Sequence, residues 1–443
     1  MNNAREIAIN ILNEVHTNDA YANVALAKHL RSSKLAEIDR RFLTELVYGA
    51  VKAGDTLDWI IRQYINRPLN KIEPMVREIL RIGMYQLFFL DKVPASAACN
   101  TAVELTKKYS HAGTVKFVNA VLRTAAREPE RAKFPHGKGH AIEELALKYQ
   151  HPYWLVKKWV HEFGLADTER LCDFDNAAPV LSIRTNTLKT SREDFKVLLE
   201  KCGLEVTKSK YAPEGLIISS YGSLDNLEPL QNGLGQVQDE SSMLVAHVLS
   251  PKSGEFIIDC CSAPGGKATH IAALMNNKGK ILATDIFEHK LKRIKENADR
   301  LGIDIINTKL LDATKIGEIY PEKADRVLVD APCSGLGVLR RKADARWKKK
   351  ADEIAKLPQL QLEILNSAAR AVKVGGVLVY STCTIEQAEN ADIVQRFLQE
   401  NDNFILENTG AFLPVPREGK MVQLYPHKDA TDGFFIARMK RRN

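Results

Sequence analysis

Apolar residues recur at helical spacing through the first 130 residues of the chain. The first stripe consists of Ala4, Ile7, Ala8, Ile11, Leu12 and Val15, and similar stripes run through 42–51, 57–65, 76–90, 97–109 and 115–126. Residues three or four positions apart share one face of a helix, so each stripe predicts a helix with one buried side. We therefore expect an all-helical domain over residues 1–130, followed by a polar linker containing Pro and Gly.

The pattern becomes mixed in residues 141–235. Strand-like runs at 181–187, 205–208 and 216–218 accompany a helical stretch at 192–202, which predicts a small α/β accessory module. The first of these runs is polar at alternate positions. Arg184 and Asn186 are therefore candidate ligand contacts, although a half-solvated strand has the same pattern.

From residue 236 onward, apolar strands alternate with helices. The strands are expected at 256–260, 280–284, 305–310, 326–329 and 376–380. This alternation predicts a Rossmann-like, doubly wound parallel sheet over 236–443, with helices on both faces. A last apolar run at 433–437 is expected to form an antiparallel edge strand. The prediction is thus a multidomain protein with an all-α domain, a small α+β module and an α/β domain.

Charge and cysteine content narrow the class of protein. The 443 residues carry a formal net charge of +8, which favours an anionic partner. The seven cysteines are odd in number and show no CxxC spacing, which argues against a disulfide framework and a zinc site. We find neither a secretory pattern nor an apolar run of membrane-spanning length. We expect a cytoplasmic protein with reduced thiols, no membrane partner and no metal.

Polar residues at successive strand ends predict a cofactor site. The first strand of the α/β domain leads into a glycine-containing segment, here called the cofactor loop, which consists of Cys261, Ser262, Ala263, Pro264, Gly265, Gly266 and Lys267. The helix that follows offers unsatisfied N–H groups to a carboxylate. The loop lacks the dinucleotide and Walker spacings, and by itself it also fits an ordinary strand-to-helix turn.

Three aspartates strengthen the cofactor prediction. Asp285 ends the second strand, where an acid can bind both ribose hydroxyls. Asp312 follows the third strand, where it could accept from an adenine amino group, and Asp330 ends the fourth. Each aspartate alone also fits a helix cap or a turn. Together they favour a cofactor that contains a nucleoside.

Two cysteines lie just past neighbouring strand ends. Cys333 belongs to the segment 330–335, here called the Pro-Cys loop, and Cys383 belongs to 381–384, the Thr-Cys loop. A single cysteine is most often a core residue. Two cysteines beside Asp330, on loops expected to face one crevice, favour chemistry instead.

These segments resemble the RNA cytosine-C5 methyltransferase family. The resemblance rests on the cofactor loop, the three aspartates, both cysteine loops and the segment Asp432-Gly-Phe-Phe435. It implies S-adenosylmethionine as cofactor, Cys383 as nucleophile and Cys333 as the residue that assists product release. DNA enzymes with the same chemistry attack with the Pro-Cys cysteine, and the sequence pattern alone does not assign the two roles.

The chemistry of that family needs these residue types. Cytosine C5 is a poor nucleophile until a thiolate adds to C6. A hydrogen bond from an acid at N3, here expected from Asp330, stabilises the charge that develops. A base then removes the C5 proton so that the thiol can leave.

The resemblance extends to the RNA partner. The helical domain is similar to the NusB-type RNA-binding fold, with matching stretches at 44–49 and 81–86. The layout of the whole chain resembles family members that act on 16S ribosomal RNA, which implies this RNA or a small-subunit assembly intermediate, and no obligate protein partner. Arg340 and Arg341, beside the Pro-Cys loop, are candidate RNA contacts, as is the basic segment 346–350 with its tryptophan, and Arg184 and Asn186 are weaker candidates.

Three alternatives stay open at this point. The substrate could be transfer RNA instead of ribosomal RNA. The chain could be an RNA-binding protein whose methyltransferase domain is inactive, although both cysteines and all strand-end residues are present. A small-molecule methyltransferase would use the cofactor loop but leave the two cysteines and the helical domain without a role.

Overall fold

The structure is a computed structural model that describes residues 4–18, 20–137, 139–219, 227–342 and 344–442. The chain forms two compact units, residues 1–176 with 342–348, and residues 177–341 with 349–443. Among the described residues, no helix combines the length and the apolar character needed to cross a lipid bilayer.

The first unit is helical, as the apolar stripes predicted. The residues of the first stripe are all buried in one hydrophobic core. The helices of this unit are Ala4–Thr17, Ala22–Ser32, Glu37–Arg62, Pro74–Phe89, Ala95–Tyr109, Ala112–Arg127, Ala141–Lys148, Tyr153–Phe163, Leu165–Asn176 and Ala345–Lys348.

A glycine joins two of the predicted stripes. The helix Glu37–Arg62 contains Gly54 in a non-helical conformation, with φ of 39° and ψ of −120°. The stripes predicted at 42–51 and 57–65 therefore belong largely to one long element with a kink between them. A Cβ on Gly54 would lie 2.3 Å from ring atoms of Trp347, so the kink also lets the Trp347 ring approach the backbone.

A buried ion-pair cluster links two helices of the first unit. The Arg81 guanidinium donates to both oxygens of Asp58, at 2.7 and 2.8 Å, and to Glu78 at 2.7 Å. Glu78 is 1% exposed and Asp58 is 8% exposed. Charges this deeply buried require the partner that Arg81 provides.

The second unit begins with a small antiparallel sheet. Its strands are β1 (Leu181–Thr185), β2 (Val206–Lys208), β3 (Gly215–Ile218) and β4 (Gly235–Val237), in the order β2-β3-β1-β4. The sequence pattern missed β4, which is only three residues long, and the predicted start of the third domain at residue 236 falls within it. The helix Arg192–Lys201 buries Phe195 and Leu199 in the core of this sheet.

A larger sheet carries the predicted Rossmann-like pattern. Its strands are β5 (Phe256–Asp259), β6 (Lys280–Asp285), β7 (Ile306–Leu310), β8 (Ala324–Asp330), β9 (Val372–Thr382), β10 (Phe404–Leu406), β11 (Met421–Leu424) and β12 (Phe434–Arg441). The order is β10-β12-β9-β8-β5-β6-β7, with β11 also paired to β12. The helices of the second unit that flank or connect these strands are Glu228–Gln231, Glu240–Leu249, Gly266–Leu274, Glu288–Leu301, Ile316–Ile319, Ala351–Ile354, Leu357–Ala371, Ala391–Glu400 and Pro426–Asp429.

One expectation about this sheet was wrong. Strand β12 is antiparallel to β9, as predicted, but it is not an edge strand because β10 pairs along its other side. Strands β10 and β11 have three and four residues, too few to show an alternating pattern in the sequence. The parallel neighbours β8 and β9 end together, with Asp330 opposite Ser381. Both cysteine loops therefore begin at the same edge of the sheet.

We expect Arg81→Met to destabilise the first unit by about 3–5 kcal/mol, because two buried carboxylates lose their partner. All four tryptophans of the chain lie in this unit, so tryptophan fluorescence during urea unfolding reports on it selectively. The matched control is Arg41→Met, whose pair with Glu37 is exposed and contributes at most about 1 kcal/mol. Equal shifts for the two variants would contradict the prediction.

Candidate active site

The two loop cysteines meet at the carboxyl ends of β8 and β9. The Sγ atoms of Cys333 and Cys383 are 3.3 Å apart, and both residues are partly buried. Asp330 ends β8 beside them, and its Oδ1 accepts a hydrogen bond from the Ser381 hydroxyl at 2.8 Å. The structure thus brings together the two sulfurs and the carboxylate that the sequence singled out.

Lys267 connects the cofactor loop to this group. Its Nζ donates to Asp330 Oδ2 at 2.7 Å. Burial lowers the pKa of Lys267, but the negative charges of Asp330 and Cys383 outweigh burial, and the net pKa is raised. The ammonium therefore stays protonated and places a positive charge where the Cys383 sulfur benefits from it.

The two sulfurs are not electrostatically equivalent. The hydrogen bond to Cys383 and burial raise the pKa of Cys333 well above that of an ordinary thiol, and the charges of Cys383, Glu389 and Asp330 raise it further. Loss of the Cys333 proton is thus disfavoured in this environment. Cys383 in turn interacts favourably with the Lys267 ammonium.

The cofactor loop is a tight turn held by its neighbours. Gly265 has φ of 94°, and a Cβ there would lie 3.1 Å from the Ile294 side chain, so this position favours glycine. The Ser262 amide donates to Thr284 of β6 at 2.9 Å, and Asn297 donates to the Pro264 carbonyl at 3.0 Å. The helix that starts at Gly266 then directs its first N–H groups towards the end of the sheet.

Of the other two predicted cofactor aspartates, only Asp285 is largely buried. Asp285 is 8% exposed, and its Oδ1 accepts from the Phe287 amide at 3.0 Å. Asp312 is exposed and caps the short turn after β7, accepting from the amide and the hydroxyl of Thr314. Asp312 therefore caps a turn, which is the alternative role considered for it in the sequence. Its contact with an adenine stays a prediction.

Asp259 is a candidate site residue that sequence reasoning missed. It ends β5 next to the cofactor loop, and it is fully buried. Burial raises its pKa to about 7, against the opposing effect of the Ser262 hydroxyl, and the charge of Asp330 adds to the increase. Its sequence signal was the same as that of Asp285 and Asp330, an acid at the end of a parallel strand.

Two predicted RNA contacts need correction. Arg184 and Asn186 are 2% and 3% exposed. Arg184 donates to the Gly266 carbonyl at 2.6 Å and to Thr269 at 3.0 Å, and Asn186 donates to the carbonyls of Gly233 and Leu301. These side chains bind the interior of the second unit and are not available to RNA.

The basic residues after the Pro-Cys loop are also mostly engaged within the protein. Arg340 lies 3.8 Å from Asp432, and its side chain is 6% exposed. Arg341 pairs with Asp432 at 2.6 Å and with Asp239 at 2.5 Å, but 26% of its side chain is exposed. Arg341 stays a predicted RNA contact, whereas little of Arg340 is accessible.

The tryptophan of the basic segment is not an exposed stacking surface. Its indole Nε1 donates to the Lys52 carbonyl at 3.0 Å. The neighbouring Arg346 is fully buried and donates to the Gln150 carbonyl and the Asn176 side chain within the first unit. Arg346 therefore packs inside the first unit, contrary to its predicted contact with RNA, whereas a contact through the partly exposed Trp347 stays a prediction.

One cluster among the described residues has metal-ligand composition. Glu214 lies 3.1 Å from His247 and 2.8 Å from His270. The same carboxylate is a counter-charge of the buried Arg184, and burial and the Arg184 charge lower the pKa of His270 to about 4. A divalent cation here would add to the buried positive charge of Arg184, so we assign the cluster to hydrogen bonds between Glu214 and the two histidines.

Comparisons with known proteins agree with this architecture. Three family models match in order along the chain. They are the NusB family at 2–127, the RsmF/B-like ferredoxin-like domain at 151–225 and 16S rRNA methyltransferase RsmB/F at 246–440. They confirm the predicted all-α NusB-like domain, the α+β module and the α/β methyltransferase domain.

Individual relatives cover the whole chain. The probable ribosomal RNA small subunit methyltransferase B of Bacillus subtilis (strain 168) is 41% identical over 99% of this chain and 98% of its own length. The crystal structure of PH0851 is 31% identical and covers 99% of both chains with a TM-score of 0.83. NSun6 from Pyrococcus horikoshii with SFG is 28% identical, covering 65% of this chain and 97% of its own, with a TM-score of 0.59. The chain therefore belongs to the RsmB/F family of 16S ribosomal RNA methyltransferases.

Proposed function

We propose that this protein transfers a methyl group from S-adenosylmethionine to carbon 5 of a cytosine in 16S ribosomal RNA, through a covalent bond between Cys383 and carbon 6. The observation that carries the proposal is the 3.3 Å contact between the two sulfurs beside the Lys267–Asp330 ion pair. Methyl transfer to an oxygen or an amine needs no thiol, so two cysteines at this position favour addition to a pyrimidine ring.

Cys383 is the proposed nucleophile. Lys267 stabilises negative charge on its sulfur, and Cys333 is the partner that retains a proton. The Cys383 thiolate adds to C6, C5 gains electron density and forms the bond to the methyl carbon, and the C5 proton is then lost as the C6–S bond breaks. The thiolate is restored for the next cycle.

Cys333 is proposed to assist the release step. Its pKa is raised chiefly by the hydrogen bond to Cys383. When Cys383 is bonded to C6 it no longer carries charge, so that cause disappears and the pKa of Cys333 falls. Cys333 thus loses its proton more readily at the stage when a base is needed to accept the C5 proton.

Asp330 is proposed to hydrogen-bond the N3 edge of the cytosine. Lys267 and Ser381 fix its carboxylate by bonds to the two different oxygens. In its protonated form, a carboxyl group held in this way can donate a hydrogen bond to N3 without reorganising as negative charge develops on the ring. Burial and the charge of Asp330 raise the pKa of Asp259 to about 7, and this second acid is fully buried beneath the cofactor loop.

The residues at the strand ends suit S-adenosylmethionine, which supplies an electrophilic methyl group when bound. We propose that the cofactor loop, residues 261–267, and the helix N-terminus bind the amino-acid carboxylate. Asp285 is proposed to accept from the ribose hydroxyls, and Asp312 is proposed to accept from the adenine. Gly266 leaves room for a ligand at the backbone, since even a Cβ there would meet nothing closer than 3.8 Å.

The domains before the catalytic domain are proposed to bind the RNA. We keep the predicted boundaries of 1–130 and 141–235 for this assignment. Membership of the NusB family and the net charge of +8 support it. An inactive methyltransferase domain is disfavoured, because the two cysteines are in contact with each other and Lys267 is paired with Asp330.

Cys383→Ala is expected to abolish 5-methylcytosine formation, because the bond to C6 cannot form. Bisulfite sequencing of total RNA from cells with the wild-type gene, the variant gene or no gene measures this directly. Cys202→Ala, which changes an exposed cysteine, is the matched control and should keep full methylation. A lost site in transfer RNA instead of 16S ribosomal RNA would overturn the proposed substrate.

Cys333→Ala is expected to attack and methylate but to release RNA slowly, so that covalent protein–RNA complexes accumulate. Denaturing gels of the protein incubated with unmethylated 16S RNA and S-adenosylmethionine detect them. The double variant Cys333→Ala/Cys383→Ala should form none. Complexes in the double variant, or their absence in the single one, would contradict the assigned roles.

Asp285→Ala is expected to weaken S-adenosylmethionine binding by about 10–100-fold, since hydrogen bonds to a charged group contribute about 1.5–3 kcal/mol. Isothermal titration calorimetry measures the dissociation constant. Asp304→Ala removes an exposed aspartate between β6 and β7 and should bind as the wild type does. An unchanged constant for Asp285→Ala would remove the ribose assignment.

A further inference from the structure

Two adjacent residues lie directly behind the cysteine loops. Glu389 and Asn390 follow β9 and are 0% and 1% exposed. The phenol of Tyr380, which is part of β9, donates to the Glu389 carbonyl at 2.7 Å and ties this turn to the sheet. Neither residue belongs to the cofactor loop or reaches the surface, so their polar groups serve contacts inside the protein.

The Glu389 carboxylate holds the Pro-Cys loop. Its Oε2 accepts from the amide of Ser334, the residue after Cys333, at 2.8 Å. Gln361 donates to the same oxygen at 2.8 Å and to the Pro332 carbonyl at 2.9 Å. The residues on both sides of Cys333 are thereby fixed by one buried carboxylate and its amide partner. A hydrogen bond to a buried charge contributes more than one between neutral groups.

The Asn390 side chain holds the Thr-Cys loop. Its Oδ1 accepts from the Thr382 hydroxyl at 2.5 Å, and its Nδ2 donates to the Thr384 carbonyl at 3.0 Å. These are the residues on both sides of Cys383. Gln423 of β11 accepts from the same Nδ2 at 2.8 Å and fixes the orientation of the amide.

We propose that Glu389 and Asn390 are positioning residues that set the distance between the two sulfurs, Glu389 for the release step and Asn390 for the attack step. The inference rests on the proposed function. Asn390 fixes the neighbours on both sides of Cys383, and Glu389 together with its partner Gln361 does the same for Cys333. Because Glu389 and Asn390 are consecutive in the chain, the two loops share one support. Displacing a reacting group by about 1 Å can reduce a rate about 100-fold, so such a support affects catalysis without touching the substrate.

The roles proposed for Glu389 and Asn390 predict that their variants slow different steps of the reaction. Glu389→Ala is expected to slow release at least about tenfold, so covalent complexes accumulate, while the rate of methyl transfer in a single turnover changes less than about threefold. Asn390→Asp keeps the acceptor for Thr382 but loses the donor to Thr384, and it is expected to slow methyl transfer at least about tenfold without accumulation. Glu389→Gln retains an acceptor oxygen for Ser334 and should restore most of the release rate.

The measurements use the full chain, unmethylated 16S RNA transcribed in vitro and S-adenosylmethionine labelled in its methyl group. Gln387→Ala, an exposed change in the same turn, is the matched control and should behave as the wild type does. Where Glu389→Ala does not fold, Gln361→Met, which is close in size, tests the same support and should also slow release. Calorimetry of S-adenosylmethionine binding identifies the variants that remain folded.

The outcomes separate this inference from the proposed function. A wild-type protein that transfers no methyl group, or a Cys333→Ala variant without covalent complexes, would overturn the proposed function. When these two behave as expected, parallel losses of methyl transfer and release in Glu389→Ala and Asn390→Asp would overturn the positioning roles. Wild-type kinetics in both variants would overturn them as well.

Discussion

The contact between the Cys333 and Cys383 sulfurs depends on the parallel pairing of β8 and β9. Asp330 and Ser381 lie opposite each other at the ends of these strands, so both loops leave the sheet at the same level. Beyond that point the backbones stay in contact, because Gly337 donates to the Cys383 carbonyl at 3.1 Å and Gly433 donates to the Gly337 carbonyl at 2.7 Å. A Cβ on Gly337 would lie 2.2 Å from the Gly433 carbonyl oxygen, so the loops can pack this closely only where the sequence has glycine.

The positive charge of Lys267 makes the electrostatic surroundings of the two sulfurs different. A nearby cation lowers the pKa of a thiol and so favours its thiolate form. The lysine comes from the loop proposed to bind the cofactor, and its Nζ donates to Asp330. One side chain therefore connects the cofactor loop, the acid proposed for the base edge and, through its charge, the sulfur proposed as the nucleophile. The sheet topology places the residues, and the charge of Lys267 supports the different roles proposed for the two sulfurs.

Much of the fold and part of the site could be predicted because they follow from chain periodicity. The spacing of apolar residues predicted the helices of the first unit. The rule that ligands bind at the carboxyl ends of parallel strands selected Asp285, Asp330 and the two cysteines. The direction of a buried polar side chain has no such signal. Alternation showed that Arg184 had a distinct face, but not that the helix starting at Gly266 covers it. Glu389 was missed for the same reason, since its importance comes from contacts with residues far away in sequence.

The burial of Arg184 changes how the small sheet should be understood. Its guanidinium contacts the first turn of the helix that follows the cofactor loop, and Thr269, which accepts from it, also donates to the Gly265 carbonyl at 2.8 Å. Burial lowers the pKa of Arg184 to about 9, and the Glu214 carboxylate opposes that effect. A charge with this little access to water is retained only where its partners are fixed. The strand that carries Arg184 is therefore part of the structure that shapes the cofactor loop, and the small sheet is more than a separate RNA-binding attachment.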